Sequence, residues 1–129
     1  MQVHQMSDPQ DYSGVPPFAV NVRPGGQLEV ITSNDPNSVT TSTSPRRVTR
    51  AVFPSGGSDW HDISITFRFT RGGGDGYLKV AWDGAVKFEG TIPMGYNDTR
   101  PPYPKQGIYR SQMPGVTEVD FRGGAITAG

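Results

Sequence analysis

Ile63-Ser64-Ile65-Thr66-Phe67-Arg68-Phe69 is the part of the sequence that decides the fold. Apolar and polar residues alternate strictly here, within residues 60–70, which we predict to form one strand. Successive side chains of a β-strand point to opposite faces, so this pattern buries one face and leaves the other in water. The stretch therefore predicts a half-buried strand of an antiparallel sheet.

The alternation continues on both sides of this stretch, interrupted by turn signals. Asp83-Gly84 is typical of a two-residue hairpin turn, and Pro24-Gly25-Gly26 is a second hairpin signal. No segment has a helical period. The other predicted strands are residues 2–6, 17–23, 27–32, 46–53, 77–82, 85–89, 105–111 and 116–126, with long loops at 34–45 and 93–102. The pattern predicts one all-β domain built as a two-sheet sandwich.

The composition agrees with a small all-β protein. Of 129 residues, 33% are apolar, 17 are Gly and 12 are Pro, which favours short strands joined by turns. The absence of Cys excludes disulfides and thiolate metal sites, and neither the two His nor the spacing of the acids indicates a metal site. Net charge is zero, and no segment resembles a membrane span or a signal peptide. We therefore expect a soluble chain without nucleic-acid or membrane partners.

Two distant segments carry residue types suited to catalysis. Tyr103-Pro104-Lys105-Gln106-Gly107-Ile108-Tyr109-Arg110-Ser111-Gln112 is predicted as a strand with Lys105 and Tyr109 on one face, separated by a glycine that leaves room for a ligand. The two polar residues of Gln2-Val3-His4 also share one face. An amide, an imidazole, an ammonium and a phenol are suited to acid–base chemistry on an anionic substrate. We predict that the two segments meet.

Further motifs follow one another along the chain. They are Pro16-Pro17-Phe18-Ala19-Val20-Asn21-Val22-Arg23 with Gly25-Gly26, Trp60-His61-Asp62-Ile63-Ser64-Ile65, Gly76-Tyr77-Leu78-Lys79-Val80-Ala81-Trp82-Asp83-Gly84, Gly95-Tyr96-Asn97-Asp98 and Lys105-Gln106-Gly107-Ile108-Tyr109-Arg110. In order and spacing they resemble the jelly-roll polysaccharide lyases that include heparin lyase and glucuronan lyase. More distantly, the two segments described above resemble two of the three motifs of jelly-roll alginate lyases.

The resemblance implies a fold, an activity and a set of site residues. The fold would be a jelly-roll β-sandwich of the concanavalin A-like type. The activity would be cleavage of a uronate-containing anionic polysaccharide by β-elimination, by a secreted enzyme without a cofactor. His4 as base or co-base and Tyr109 in proton transfer would be catalytic, the choice of base depending on syn or anti elimination. The substrate-binding residues would be Gln2, Lys105, Arg23, Tyr96 and Asn97.

The chain departs from the resembled pattern at its start and around Lys105. It begins at the motif carrying His4, whereas the family has several earlier strands, one of which brings an Arg to the substrate carboxylate in alginate lyases. Pro104 and Gln106 replace an aromatic residue and a small or aromatic residue beside Lys105. We therefore predict a single domain over residues 1–129 that corresponds to the C-terminal portion of a longer family domain.

Two other classes of function stay open from sequence. A non-catalytic glycan-binding module on the same scaffold would use Trp82, Tyr96 and Tyr103 as stacking platforms. An assembly protein would use an exposed strand edge at the N-terminal segment to pair with another copy or with a missing segment. His61 is an alternative base, although its position before the strand favours a structural role.

Overall fold

A computed structural model of the chain describes residues 1–5, 15–54, 59–70, 74–107 and 122–123, with the backbone but not the side chain of His4. Nine strands form in these residues, and no helix is found among the described residues. The strands are β1 (Gln2–Gln5), β2 (Phe18–Val22), β3 (Leu28–Asp35), β4 (Arg46–Phe53), β5 (Ile63–Arg68), β6 (Asp75–Trp82), β7 (Ala85–Pro93), β8 (Gly95–Tyr96) and β9 (Pro102–Lys105). Within these ranges, no helix exists that could cross a membrane.

The strands form two sheets. The larger sheet has the order β4-β3-β2-β1-β9, with the short β8 added in parallel to β3. The smaller sheet has the order β5-β6-β7. Apart from the β3–β8 pair, all strand pairs are antiparallel. The predicted all-β jelly-roll sandwich is therefore confirmed.

The core lies between the two sheets, where the alternating apolar residues of both meet. Ring stacking links the layers at two places: Phe53 lies on Trp82 with centroids 4.9 Å apart, and Phe18 lies on Phe67 at 5.9 Å. Burying each such side chain stabilises the fold by about 1.5–3 kcal/mol. The buried cluster consists of Val3, Phe18, Val30, Phe53, Leu78, Val80, Trp82, Ile92 and Met94.

The strand that decides the fold lies at the edge of the smaller sheet. The prediction for residues 60–70 is confirmed with shorter limits, since β5 covers Ile63–Arg68. Ile65 and Phe67 pack against the core, whereas Ile63 at the strand start is 38% exposed. The alternation therefore identified the buried face, and the edge position explains why burial there is incomplete.

β9 differs from its prediction. Residues 105–111 were expected to form the strand, but pairing with β1 runs from Pro102 to Lys105 and ends there. Pro102 and Pro104 are tolerated because β9 is an edge strand of the sheet formed by the described residues, and the outer side of such a strand needs no N–H donor there. Residues 108–111, Tyr109 among them, and the predicted strand 116–126 lie outside the described residues.

β1 is not an edge strand. It pairs with β2 on one side and with β9 on the other. The expectation of an open edge at the N-terminal segment is therefore wrong. Within the described part of the larger sheet, the edges are β4 and β9.

Gly76 in β6 tests how tightly the smaller sheet is packed. A Cβ at this position would lie 2.6 Å from the backbone oxygen of Arg68, a contact that only a backbone shift can relieve. We expect Gly76→Ala to lower the free energy of unfolding by about 1–3 kcal/mol in urea denaturation, because overpacking forces such shifts.

Gly90 in β7 provides the matched control. A Cβ there meets only Phe88 ring carbons at 3.7 and 4.0 Å, which is ordinary contact. Gly90→Ala should change stability by less than about 1 kcal/mol. Equal losses in the two variants would contradict the packing described for Gly76.

Candidate functional site

Pairing of β1 with β9 brings the two predicted site segments together. Gln2 lies opposite Lys105, and His4 lies opposite Tyr103. Directly opposed residues of antiparallel strands have Cβ atoms about 4.5–5.5 Å apart. The prediction that these distant segments meet is confirmed for the part of the second segment that the structure describes.

The register also decides which face these positions occupy. Val3, between Gln2 and His4, is 1% exposed and belongs to the core. Strand alternation therefore assigns positions 2 and 4 to the outer face of the larger sheet, away from the smaller one. Positions 103 and 105 share that face through the pairing. We call Gln2, His4, Tyr103 and Lys105 the β1–β9 patch, with His4 included through its backbone register.

The patch holds one cation against one aromatic ring. Lys105 is exposed, and its Nζ lies 5.3 Å from the centroid of the Tyr103 ring. This cation–π contact keeps the ammonium over the patch without neutralising its charge. Gln2 beside it is partly buried. The patch thus presents a positive charge and an amide side by side, a combination suited to a carboxylate.

Tyr109 is connected to the patch by a short piece of chain. It lies outside the described residues, but Gly107, two residues before it, lies within them. In the sequence, Tyr109 follows Lys105, the last residue of β9, by four residues.

Gln5 fastens the patch strand to β8, and the sequence reasoning missed it. Its Oε1 accepts a hydrogen bond from the backbone N–H of Tyr96 at 3.0 Å, and its Nε2 donates to the Tyr96 carbonyl at 3.2 Å. Nε2 also lies 3.4 Å from the carbonyl of Arg100. The amide thus replaces a backbone ladder between β1 and the segment that leads into β9. The sequence indicates His4 as a candidate because its side chain can titrate. A glutamine in a strand gives no comparable signal that it binds the backbone of another strand.

Tyr96 and Asn97 connect loops at this end of the sandwich. Tyr96 is 4% exposed, and its phenol donates a hydrogen bond to the Val15 carbonyl at 2.9 Å. Burial raises the pKa of Tyr96 well above its usual value, so the phenol is neutral at physiological pH. The Nδ2 of Asn97 donates a hydrogen bond to the Pro36 carbonyl at 3.4 Å. The structure thus places Tyr96 inside the protein, where its ring does not face solvent.

Asp35 organises the long loop predicted at residues 34–45. Its side chain is fully buried and accepts hydrogen bonds from both the backbone and the side chain of Asn37, at 3.0 and 2.7 Å, and from the hydroxyl of Ser44. Ser44 and Thr41 also exchange hydrogen bonds. The polar composition of this stretch therefore serves to pair a buried carboxylate. Within the described ranges, no group of three or more acidic or His residues could hold a metal ion.

Arg23 lies just beyond the end of β2, on the far side of that strand's length from the patch. Gln2 is opposite Ala19, and Arg23 follows Ala19 by four residues. At about 3.3 Å per strand residue, Arg23 is therefore roughly 13 Å along the strand direction from Gln2. Arg23 instead pairs with Glu29, its Nε lying 3.5 Å from Oε2, across the β2–β3 hairpin.

Comparison with known proteins finds one family that covers nearly the whole chain. The chain matches the polysaccharide lyase family over residues 1–123. It belongs to that family. The matched range contains both strands of the patch as well as Tyr109. No curated protein and no solved structure matches the chain.

The second histidine of this polysaccharide lyase, His61, connects a strand to a turn. His61 Nδ1 lies 2.8 Å from Asp83 Oδ2, and its ring stacks on Trp82 with centroids 4.6 Å apart. Asp83 also accepts a hydrogen bond from the Asp62 N–H at 2.9 Å. Asp83 and Gly84 have φ of 48° and 77°, as a type I′ hairpin requires. His61 therefore joins the start of β5 to the β6–β7 turn.

The Gln5 amide should contribute measurably to stability. Gln5→Leu removes both hydrogen bonds to the Tyr96 peptide and leaves its N–H and C=O without these partners. We expect a loss of about 1–3 kcal/mol in the free energy of unfolding, measured in urea. Gln27→Leu, at an exposed position, is the control and should change stability by less than about 0.5 kcal/mol. A Gln5 variant as stable as the control would show that the hydrogen bonds between Gln5 and Tyr96 do not stabilise the fold.

The His61–Asp83 pair predicts a pH dependence. The hydrogen bond from His61, and then that from the Asp62 N–H, lowers the pKa of Asp83. The stabilisation is therefore present above the unfolded pKa of about 3.9 and is lost as the pH falls through the lower folded pKa. At about pH 5, we expect the wild-type protein to unfold at a higher urea concentration than Asp83→Asn. The difference between the two urea midpoints should become smaller by about pH 3.

Asp59→Asn is the matched control for this titration. Asp59 is exposed and makes no hydrogen bond within the described part of the chain. The urea midpoint of Asp59→Asn should equal that of the wild-type protein throughout the same pH range. A constant gap between wild type and Asp83→Asn would show that the carboxylate charge is not what stabilises the turn.

Proposed function

We propose that this polysaccharide lyase cleaves a uronate-containing anionic polysaccharide by β-elimination. In that reaction a base removes the proton at C5, next to the carboxylate, and the oxygen at C4 leaves with a proton from an acid. Three tasks follow: the carboxylate charge must be offset, one group must accept a proton, and one must donate a proton. The product carries a double bond between C4 and C5.

The observation that carries the proposal is the pairing of Gln2 with Lys105. It puts an amide donor and an ammonium next to each other on the outer face of the sheet. Together they are suited to bind the uronate carboxylate, the amide by a hydrogen bond and the ammonium by its charge. Their effect is greatest when negative charge grows on the carboxylate as C5 loses its proton. This is electrostatic stabilisation aimed at the transition state.

Proton transfer is assigned to His4 and Tyr109. A free His titrates near 6.5 and is readily available as a base at neutral pH, whereas a free Tyr titrates near 10. Tyr109 acts as a base only if a neighbouring cation favours its phenolate, and Lys105, four residues before it in the sequence, is the cation proposed for that role. As an acid, Tyr109 needs no such help. Opposition of His4 to Tyr103 supports the assignment, since it brings the imidazole-bearing strand beside the strand that leads to Tyr109.

A glycan-binding module without catalysis has less support. Of the three aromatic residues suited to stacking on sugars, Trp82 is 7% exposed and Tyr96 is 4% exposed. Tyr103 is 36% exposed, and its ring lies under Lys105. Of these three rings, Tyr103 is therefore the one available for stacking, and it belongs to the same patch as the residues proposed for elimination.

The test is direct detection of the unsaturated product. The protein is incubated with alginate, glucuronan, heparin and hyaluronan, and the ultraviolet absorbance of the new double bond is followed. We expect activity on at least one of them. His4→Ala and Tyr109→Phe should each lower kcat about 10²–10⁴-fold, the usual contribution of a proton-transfer group. Lys105→Met should lower kcat/KM, since it removes the charge that faces the carboxylate.

Each catalytic variant has a matched control elsewhere in the fold. His61→Ala controls for loss of an imidazole, and Tyr77→Phe controls for loss of a phenol, here one that bonds Glu89 on the smaller sheet. Both controls should keep wild-type kcat. Binding of a polysaccharide without any absorbance change would favour the module instead. Absence of both binding and activity, with a concentration-dependent oligomer, would favour assembly.

A further inference from the structure

A cleft opens between the edges of the two sheets, away from the β1–β9 patch. It has a volume of about 200 Å³ and lies between β4 and the end of β7. Its lining residues are Asn34, Arg46, Val48, Arg50 and Pro93. Two guanidinium groups and one amide thus border one small cleft, and none of the described residues that line it is a carboxylate.

A β-bulge turns Arg50 into this cleft. The register between β3 and β4 shifts so that Val30 pairs with Ala51 and Ile31 with Thr49, which leaves Arg50 as the extra residue. Bulges of this kind redirect a side chain relative to a regular strand. Arg46 reaches the same cleft by ordinary alternation, since it pairs with Asn34, which also lines the cleft.

The described groups that hold Arg50 in place are uncharged. Its Nε donates a hydrogen bond to Oγ1 of the buried Thr32 at 2.8 Å, and its guanidinium lies 5.8 Å from the centroid of the Phe88 ring. Within the described residues this is the one hydrogen bond of the side chain, so the two terminal nitrogens keep their donors. A planar group fixed at Nε and on one face presents a two-point fork.

No ion pair among the described residues balances the charges at this cleft. The ion pairs in the described part of the chain involve Arg23, His61 and Lys79, and none involves Arg46 or Arg50. Burial, and then the positive charge of Arg46, lowers the pKa of Arg50. Two like charges share a partly desolvated space, which an anion would stabilise.

We propose that this cleft binds a small oxyanion, a sulfate, phosphate or carboxylate group, between Arg46 and the terminal nitrogens of Arg50. A volume of 200 Å³ corresponds to about six or seven waters at ~30 Å³ each, enough for one such group with part of its hydration. Asn34 supplies a neutral donor at the same place. The site is separate from the proposed reaction: β4 and β1 are three strands apart, about 14 Å at the usual spacing.

Inorganic sulfate is the probe, titrated into the full chain by calorimetry at constant ionic strength set with chloride. We expect saturable binding of one sulfate per chain. Arg46→Gln should weaken it about tenfold or more, the loss expected when a charge-assisted hydrogen bond is removed. Arg50→Gln should weaken it at least as much. Because Arg46 is exposed, its variant is expected to fold even if the Arg50 variant does not.

Arg47 is the matched control, because it is the adjacent arginine of the same strand and alternation places it on the opposite face. Arg47→Gln should keep sulfate affinity within about twofold. Equal weakening in the Arg46 and Arg47 variants, or no saturable binding to wild type, would overturn the proposal. General stabilisation by sulfate does not saturate and does not depend on one arginine, so it cannot imitate the expected result.

The same titration distinguishes free ions from groups carried by a polymer. Short uronate oligomers and sulfated heparin oligomers are compared with inorganic sulfate in wild type and in Arg46→Gln. Tighter binding of an oligomer that is lost in Arg46→Gln assigns the cleft to a polysaccharide. Equal binding of the free ion and the oligomer assigns it to a free anion. Sulfate binding is measured without turnover, so failure here and failure of the proposed elimination are separate results.

Discussion

Burial of Val3 between the sheets is the constraint on which the arrangement of the patch depends. Since this side chain is in the core, strand alternation assigns the positions on either side of it to the outer face. A slip of one residue would exchange the two faces and put the polar positions inside, so the register is strongly fixed. The same strand holds β9, and through it the start of the segment that carries Tyr109.

The two ends of the sandwich are built by different means. At one end, a type I′ turn at Asp83 is connected by His61 to the start of β5 and packs beside Trp82. At the other end, side chains replace the ladder: Gln5 binds the backbone of Tyr96, and Asp35 holds the loop that follows β3. The site proposed for this polysaccharide lyase lies on an open sheet face, which leaves room for a long substrate chain.

Charge in this protein is local. The formal net charge is zero, so no overall field attracts a polyanion. Two positive groups that form no ion pair with any described residue nevertheless collect at β4, where alternation and a bulge bring Arg46 and Arg50 to one cleft, while Lys105 stays over Tyr103 on the patch. The proposed recognition of an anionic polymer would therefore depend on a few fixed cations at close range, where screening by salt is weakest.

The sequence by itself determined the all-β class, the faces of the main strands and the two segments of the candidate site. These follow from period-two alternation and from Asp83-Gly84, whose conformations are set by local geometry. Only the tertiary structure decided which strands became neighbours. It placed β1 inside the sheet, ended β9 at Lys105, buried Tyr96 and turned Arg50 into a cleft. Those outcomes depend on contacts between residues far apart in the chain, and local patterns carry no information about such contacts.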